Sequence, residues 1–178
     1  MNAKLFFAGS GGQGILLMGQ MLATAAMRQG REVTFLPSYG PEMRGGTANC
    51  TVILSEAPIS CPVIYEADVV CAMNLPSLTK FESLLKPGGK LFINASLIAA
   101  GAARDDIEVY RIPANETAAS LGDERAANTV MLGAIVAKTG LISRDAAMDV
   151  LAYAFSGPRE KLLPLNQKAF FSFYELRP

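Results

Sequence analysis

Histidine is absent from all 178 residues of this sequence. Without imidazole, the chain cannot form a Ser-His-Asp triad, a histidine-ligated metal site or a histidine acid–base catalyst. Cysteine is scarce, since only Cys50, Cys61 and Cys71 occur, and their spacing matches no zinc or iron–sulfur ligand pattern. We therefore expect three buried free thiols and no metal site.

An excess of charge of one sign is also lacking, because 16 Lys and Arg residues balance 16 Asp and Glu residues without a long run of either. Such a chain has no basic surface for nucleic acid or for an anionic membrane. No apolar run approaches the roughly 20 residues that span a bilayer. The apolar stretch at residues 5–8 is too short for the core of a signal peptide. We expect a cytoplasmic protein with neither nucleic acid nor membrane as a partner.

Buried strands and helices alternate along the chain, which predicts one domain over residues 1–178. Predicted strands cover residues 4–8, 32–36, 47–54, 59–64, 67–73, 90–94 and 108–112. Predicted helices cover residues 15–29, 76–85, 116–121, 128–139, 144–155 and 165–176, and Ser143 is a predicted N-cap. The predicted fold is α/β, a Rossmann-like doubly wound, mostly parallel sheet with helices on both faces and a helical C-terminal third.

Two strand pairings and one turn follow from this order. Strand 32–36 is expected to complete a right-handed parallel βαβ unit with strand 4–8. Segments 47–54 and 59–64 flank a turn and are expected to form an antiparallel insertion. Residues 86–89, Lys-Pro-Gly-Gly, are expected to turn into strand 90–94.

The first motif, Gly9-Ser10-Gly11-Gly12-Gln13-Gly14, has the G-x-G-x-x-G spacing between a strand and a helix. Glycines there allow a tight turn and close approach of an anion or cofactor to backbone N–H groups. Close packing of helix on strand is the alternative explanation. A nicotinamide site would also need an acidic residue at the end of the second strand, where Pro37 and Ser38 stand instead, so we expect no NAD site.

Two further motifs follow. Residues 38–46 place Tyr39, Glu42 and Arg44 beside Gly45 on one predicted loop, where the guanidinium could bind a phosphate or carboxylate, or pair with Glu42. A stiff structural loop is the alternative. Residues 128–134 put small side chains on a predicted helix, as at a helix–helix or subunit contact.

Together, these three motifs closely resemble the gamma subunit of 2-oxoacid:ferredoxin oxidoreductases in order and spacing. The resemblance covers residues 6–170 and includes Ile59-Ser60-Cys61-Pro62, Ala67-Asp68, Asn166 and Ala169. It implies a complex that decarboxylates a 2-oxoacid on thiamine diphosphate with Mg, passes electrons through [4Fe-4S] clusters to ferredoxin, and forms an acyl-CoA. This chain alone would bind none of those cofactors and would help to assemble and shape the CoA and substrate region.

The resemblance also implies roles and partners. Gly9, Gly11, Gly12, Gln13 and Gly14 would form the glycine turn. Tyr39, Glu42, Arg44 and Gly45 would form a loop facing the active-site subunits, with Arg44 near CoA or an inter-subunit carboxylate, while Asn128 and Gly133 would serve packing or contact. The partners would be alpha, beta and ferredoxin-like delta subunits, and a homodimer of the isolated chain stays open.

Alternatives remain at this point. The 2-oxoacid could be 2-oxoglutarate, a branched-chain oxoacid or pyruvate. A related domain occurs in the small subunit of indolepyruvate ferredoxin oxidoreductase. A stand-alone nucleotide-binding Rossmann module would explain the strand, glycine turn and helix alone. A scaffold subunit without contact to a pocket is the remaining class.

Overall fold

The computed structural model describes residues 2–39 and 47–173. Within these residues, six strands form one sheet in the order β2-β3-β1-β4-β5-β6. The strands are β1 (Ala3–Ser10), β2 (Glu32–Tyr39), β3 (Thr47–Ser55), β4 (Ala67–Ala72), β5 (Leu85–Asn94) and β6 (Glu108–Ile112). The helices are α1 (Ile15–Arg28), α2 (Leu75–Phe81), α3 (Ala114–Ser120), α4 (Ala127–Thr139), α5 (Arg144–Ala154) and α6 (Leu163–Phe171).

Strand β1 lies at the centre of the sheet and is buried on both faces. Leu5 and Phe7 point into one apolar core, whereas Phe6 and Ala8 point into a second core on the opposite face. This alternation follows from the two-residue period of a strand. A strand that is apolar on both faces needs cover on both, as in doubly wound folds.

Helices do cover both faces. The first core receives side chains from α1, α3, α4, α5 and α6. The second core receives Leu78 of α2, together with Ile98 and Ile107 from the connection between β5 and β6. The predicted mostly parallel doubly wound fold with a helical C-terminal third is confirmed, since among the described strands only β3 runs opposite to the other five.

The predicted βαβ unit at the start of the chain needs a correction. Strand β2 runs in the direction of β1 but does not pair with it, because β3 inserts between them and is antiparallel to both. The insertion works because β3 is apolar enough to occupy a central position, with Cys50, Val52 and Leu54 fully buried. Of the two segments predicted to form an antiparallel insertion, residues 47–54 are inserted antiparallel into the sheet, and their partners are β1 and β2 and not residues 59–64.

Residues 59–64 were predicted as a strand, and this is wrong. They form an irregular segment, which is explained by Pro58 and Pro62, since proline lacks the N–H that a sheet ladder requires. Ile64 packs on the second core instead. In the same segment Cys61 is exposed, which corrects the expectation of three buried thiols, whereas Cys50 and Cys71 are buried.

Smaller differences concern the ends of elements. The Lys-Pro-Gly-Gly sequence at 86–89 lies inside β5, as a register irregularity between its pairings at Leu85 and Lys90, and α2 ends at Phe81. The predicted cap is confirmed, because the Ser143 hydroxyl accepts a hydrogen bond from the Ala146 N–H at 3.2 Å. No helix in residues 2–39 and 47–173 is both long and apolar enough to cross a membrane.

Candidate functional site

The glycine turn joins β1 to α1 at the carboxyl edge of the sheet. Gly12 and Gly14 have φ angles of 92° and 72°, which side chains other than hydrogen disfavour. Gly14 is also the N-cap residue of α1, and a Cβ there would overlap the side-chain amide of Asn128. Glycine at position 14 is therefore required both by the backbone conformation and by the contact with α4.

Gln13 is folded back into the turn. Its Oε1 accepts a hydrogen bond from the Ser10 N–H at 2.7 Å, and its Nε2 donates to the carbonyl oxygen of Met73 at 3.2 Å. The side chain thus ties the end of β1 to the residue that follows β4. Because the Ser10 N–H already donates to Gln13, it is not free to donate to an anion in the glycine turn.

The turn opens onto a cavity of about 200 Å³ lined by Gly12, Gln13, Met73, Asn115, Glu124, Arg125 and Ala127, which we call the switch-point crevice. Helix α1 leaves β1 toward the first core, and α2 leaves β4 toward the second. In open α/β sheets, the crevice outside the carboxyl ends of two such strands is where ligands bind.

A chain of hydrogen-bonded side chains, mostly amides, runs behind the crevice and reaches its outer wall. Asn94, at the end of β5, donates from Nδ2 to the Met73 carbonyl at 3.4 Å and to Asn115 Oδ1 at 2.8 Å. Asn115 on α3 in turn donates to Glu124 Oε1 at 2.7 Å. Asn74 extends the network on the other side, because its Nδ2 donates to the Ser10 hydroxyl at 2.5 Å.

The mouth of the crevice carries an exposed ion pair. Asp123 caps the 3-10 turn Glu124–Ala126 by accepting from the Arg125 N–H, and its carboxylate also accepts from the Arg125 guanidinium at 2.6 Å. These hydrogen bonds from Arg125 lower the pKa of Asp123 to about 2. The pair adds an exposed charge to a lining that also includes the Glu124 carboxylate and the side-chain amides of Gln13 and Asn115.

The structure brings the predicted glycine turn together with Asn128, whose Nδ2 donates to the Gly14 carbonyl at 3.3 Å. Gly133 lies against α6 of the same chain, where a Cβ would overlap the Phe170 carbonyl oxygen. Tyr39 is the last residue of β2, and its backbone pairs with Ala48. Glu42, Arg44 and Gly45 lie outside the described residues.

The flanks of the loop predicted at 38–46 are described, and they lie at the same edge as the glycine turn. Strand β2 ends at Tyr39 on the carboxyl edge, and Thr47, which begins β3, pairs with Ser10. The chain therefore leaves the sheet and re-enters it beside the glycine turn.

Three asparagines of the site, Asn74, Asn94 and Asn115, were not found by sequence reasoning. A signal was available for two of them, because Asn74 closely follows β4 and Asn94 ends β5. Polar residues directly after buried parallel strands meet at the carboxyl edge of the sheet. Asn115 lies inside α3 and has no comparable signal, since its role depends on how α3 packs against β5.

A dinucleotide site of the usual kind does not fit this edge. The ribose of such a cofactor is held by an acidic residue at the end of the strand next to β1. Here that neighbour is the antiparallel β3, which presents its first residues, Thr47 and Ala48, at this edge. The end of β2 is one strand further away and carries Pro37 and Ser38.

Thiol chemistry is also disfavoured in the core. Burial raises the pKa of Cys50 to about 12 and raises the pKa of Cys71 as well. Both thiols therefore stay protonated at neutral pH and act as small apolar side chains. No group of three or more His, Cys, Asp or Glu side chains in the described ranges is placed to hold a metal ion.

The sequence matches the family described as pyruvate ferredoxin/flavodoxin oxidoreductase over residues 4–176. The chain belongs to this family. Its predicted resemblance to the gamma subunits of 2-oxoacid:ferredoxin oxidoreductases is confirmed by relatives that match along nearly its whole length.

Among curated family members, the chain is 39% identical over 169 residues to a ketoisovalerate oxidoreductase subunit VorA from Methanothermobacter marburgensis, covering 94% of this chain and 35% of the relative. It is 34% identical over 158 residues to the 2-oxoglutarate synthase subunit KorC of the same organism, covering 85% of each. The chain therefore spans about a third of the length of VorA and most of the length of KorC.

Solved structures agree with this assignment. The keto/oxoacid ferredoxin oxidoreductase gamma subunit from Geobacter sulfurreducens superimposes with a TM-score of 0.83 at 32% identity, covering 97% of this chain and 96% of that one. A 2-oxoglutarate:ferredoxin oxidoreductase from Magnetococcus marinus, solved with 2-oxoglutarate, coenzyme A and succinyl-CoA, gives a TM-score of 0.86 at 27% identity. This chain covers 32% of that larger one and is itself 99% covered.

Proposed function

We propose that this chain is the gamma-type subunit of a cytoplasmic 2-oxoacid:ferredoxin oxidoreductase. The complex would convert a 2-oxoacid and coenzyme A to an acyl-CoA and carbon dioxide, with the electrons passing to ferredoxin. The proposal is carried by likeness to a gamma subunit along nearly all of both chains. Its substrate would be 2-oxoglutarate, a branched-chain oxoacid or pyruvate, the three classes named among its relatives.

The cofactors of such a complex would reside on its other subunits. Thiamine diphosphate with Mg would carry the decarboxylation, and [4Fe-4S] clusters would carry the electrons. The described residues of this chain do not fit a [4Fe-4S] cluster, because Cys50 and Cys71 are buried in the core and Cys61 is alone on the surface. No group of three or more His, Cys, Asp or Glu among these residues is placed to hold a metal ion. We assign those groups to alpha, beta and ferredoxin-like delta subunits.

This chain would contribute the wall of the region that receives coenzyme A and substrate. The switch-point crevice and the flanks of the 38–46 segment lie on one edge of the sheet. The side-chain amides of Gln13 and Asn115 in this crevice suit a neutral polar part of a ligand, and Arg44 would add a cation for a phosphate or an inter-subunit carboxylate.

Purification of the native complex through this chain tests the proposal. Thiamine diphosphate and iron–sulfur subunits should co-purify, and a viologen acceptor should be reduced only when a 2-oxoacid and coenzyme A are both present. The panel of oxoacids includes indolepyruvate, because turnover of that acid alone would assign the chain to the related aryl-pyruvate enzyme. A chain that purifies alone and binds a nucleotide would contradict the proposal.

Arg44→Ala in the assembled complex addresses the loop separately. If the guanidinium contacts coenzyme A, the KM for coenzyme A should rise while the KM for the oxoacid stays close to its starting value. Arg159→Ala, which removes an exposed cation from the 3-10 segment Gly157–Leu162, is the matched control. Unchanged kinetics with intact assembly would refute the contact.

A further inference from the structure

Asn94 donates two hydrogen bonds from its side chain, and both acceptors belong to residues that line the switch-point crevice. The residue is fully buried at the end of β5. One hydrogen bond reaches the Met73 carbonyl, which also accepts from Gln13, and the other reaches Asn115 Oδ1. A single buried amide thus contacts the floor of the crevice and the helix that supports its outer wall.

The second hydrogen bond is relayed to the wall itself. Asn115 Nδ2 donates to Glu124 in the 3-10 turn Glu124–Ala126. That turn runs into α4, where Asn128 donates to the Gly14 carbonyl. The wall is therefore fixed at one end to β5 through Asn94 and at the other end to the glycine turn.

The arrangement costs stability. The Oδ1 atom of Asn94 is buried and has no hydrogen-bond partner among the described residues. An unsatisfied buried acceptor is unfavourable, and an apolar side chain of similar volume avoids that penalty. The unpaired oxygen contributes nothing to the contacts of this residue, so the asparagine is explained by what its N–H groups hold in place.

We propose that Asn94 is a positioning residue, which sets the separation between the glycine turn and the wall formed by residues 124–126 through Asn115 and Glu124. It touches no ligand, since it is fully enclosed. Its effect is on how well the crevice fits the ligand that enters it. The identity of that ligand as coenzyme A rests on the proposed function. The relay of hydrogen bonds from Asn94 through Asn115 to Glu124 does not depend on it.

The test uses the purified native complex with two pairs of variants. Asn94→Leu keeps the branched shape and removes both donors, and Asn166→Leu makes the same change at a buried asparagine of α6, whose partners are Thr129 and Leu162. Glu124→Ala removes the end of the relay. Glu124→Gln retains a carbonyl oxygen that accepts from Asn115.

Asn94→Leu should raise the KM for coenzyme A by roughly fivefold or more, with kcat little changed. Glu124→Ala should give a similar rise, and Glu124→Gln should restore most of the affinity. Asn166→Leu should lower the melting temperature and leave this KM unchanged. Unaltered kinetics in Asn94→Leu, or equal losses in Glu124→Gln and Glu124→Ala, would overturn the proposal.

Hydrogen exchange provides a readout that does not depend on the reaction. Backbone amides in residues 114–126 should exchange faster in Asn94→Leu and in Glu124→Ala than in the unaltered protein, and Glu124→Gln should behave like the unaltered protein. If the complex turned over no oxoacid, the proposed function would fail, but hydrogen exchange would still show whether Asn94 positions residues 114–126. Unchanged exchange in Asn94→Leu would reject the positioning role even in an active complex.

Discussion

The two edges of the sheet are held together by different chemistry. At the carboxyl edge, the hydrogen-bonded side chains are mostly neutral, and the Glu124 carboxylate is the charged end of their network. The neutral members are Ser10, Gln13, Asn74, Asn94 and Asn115. At the amino edge, ion pairs dominate, and these are Lys86 with Asp68, Lys90 with Glu108 and Arg104 with Asp106. The crevice lies at the mostly neutral edge, whereas two of the three ion pairs at the charged edge join neighbouring strands.

The two edges should respond differently to salt and pH, because neutral amides and exposed ion pairs differ in their sensitivity to both. Neutral amides keep their geometry at any salt concentration and at ordinary pH, because none of them titrates there. Exposed ion pairs are screened by salt and contribute little individually. The geometry of the carboxyl edge should therefore depend little on salt, whereas the ion pairs of the amino edge are exposed to water and are screened by salt.

The largest expected effect comes from two glycines that share a backbone conformation. Gly14 at the carboxyl edge and Gly88 at the amino edge both have φ of 72°. A Cβ at Gly14 would overlap Asn128, whereas one at Gly88 meets nothing within 4 Å. Gly14→Ala should cost about 3 kcal/mol in unfolding free energy, and Gly88→Ala about 1 kcal/mol.

Urea unfolding of the two variants measures this contrast. The shared conformational strain cancels between them, so the remaining difference reports the packing of α4 on the glycine turn. Equal losses would mean that Asn128 moves aside freely and that the carboxyl edge is no more tightly packed than the amino edge.

Sequence reasoning identified most of the fold because its signals are local. Signals that act within a few residues are the continuous apolar run of β1, the glycines before α1 and the serine before α5. The pairing of β2 with β3 was not predictable, since an antiparallel insertion depends on competition between distant strands. The segment at 59–64 was misassigned because its apolar residues pack on the second core from a proline-containing segment.

The candidate site divides in the same way. The glycine turn was evident from the spacing of its glycines, but the function of Gln13 as a link to Met73 was not. That link joins residues 60 positions apart, and Asn94 and Asn115 meet across two elements. No characteristic sequence spacing predicts contacts between side-chain amides on different elements, so these contacts are seen only in the folded structure.

A second, smaller effect should distinguish the two edges by salt. Gln13→Leu removes two hydrogen bonds and leaves the Ser10 N–H without its partner, which should cost about 1–2 kcal/mol regardless of salt concentration. Glu108→Gln weakens the contact with Lys90, and its smaller loss should disappear in high salt. Unfolding at low and high sodium chloride concentration measures both.

The pH dependence of the Glu108 contribution follows from its pKa. Hydrogen bonds from Lys90 and Tyr110 lower the pKa of Glu108. The stabilisation from Glu108 is therefore complete above the ordinary glutamate pKa of about 4.3 and is lost as the pH falls through the lower folded-state value.

A stability loss that depends on salt in Gln13→Leu, or one that does not depend on salt in Glu108→Gln, would contradict the distinction between the two edges.

The smallest expected effect concerns the ion pair at the mouth of the crevice, where charge occurs at the neutral edge. Asp123 has its pKa lowered to about 2 by hydrogen bonds from Arg125, so Arg125→Ala should raise that pKa toward about 3.9. Carboxyl NMR titration measures the shift directly. Because both side chains are at the surface, the same variant should change the unfolding free energy less than Gln13→Leu does. A larger loss would place this pair within the amide network, and the neutral character of the carboxyl edge would then depend on a charge at its rim.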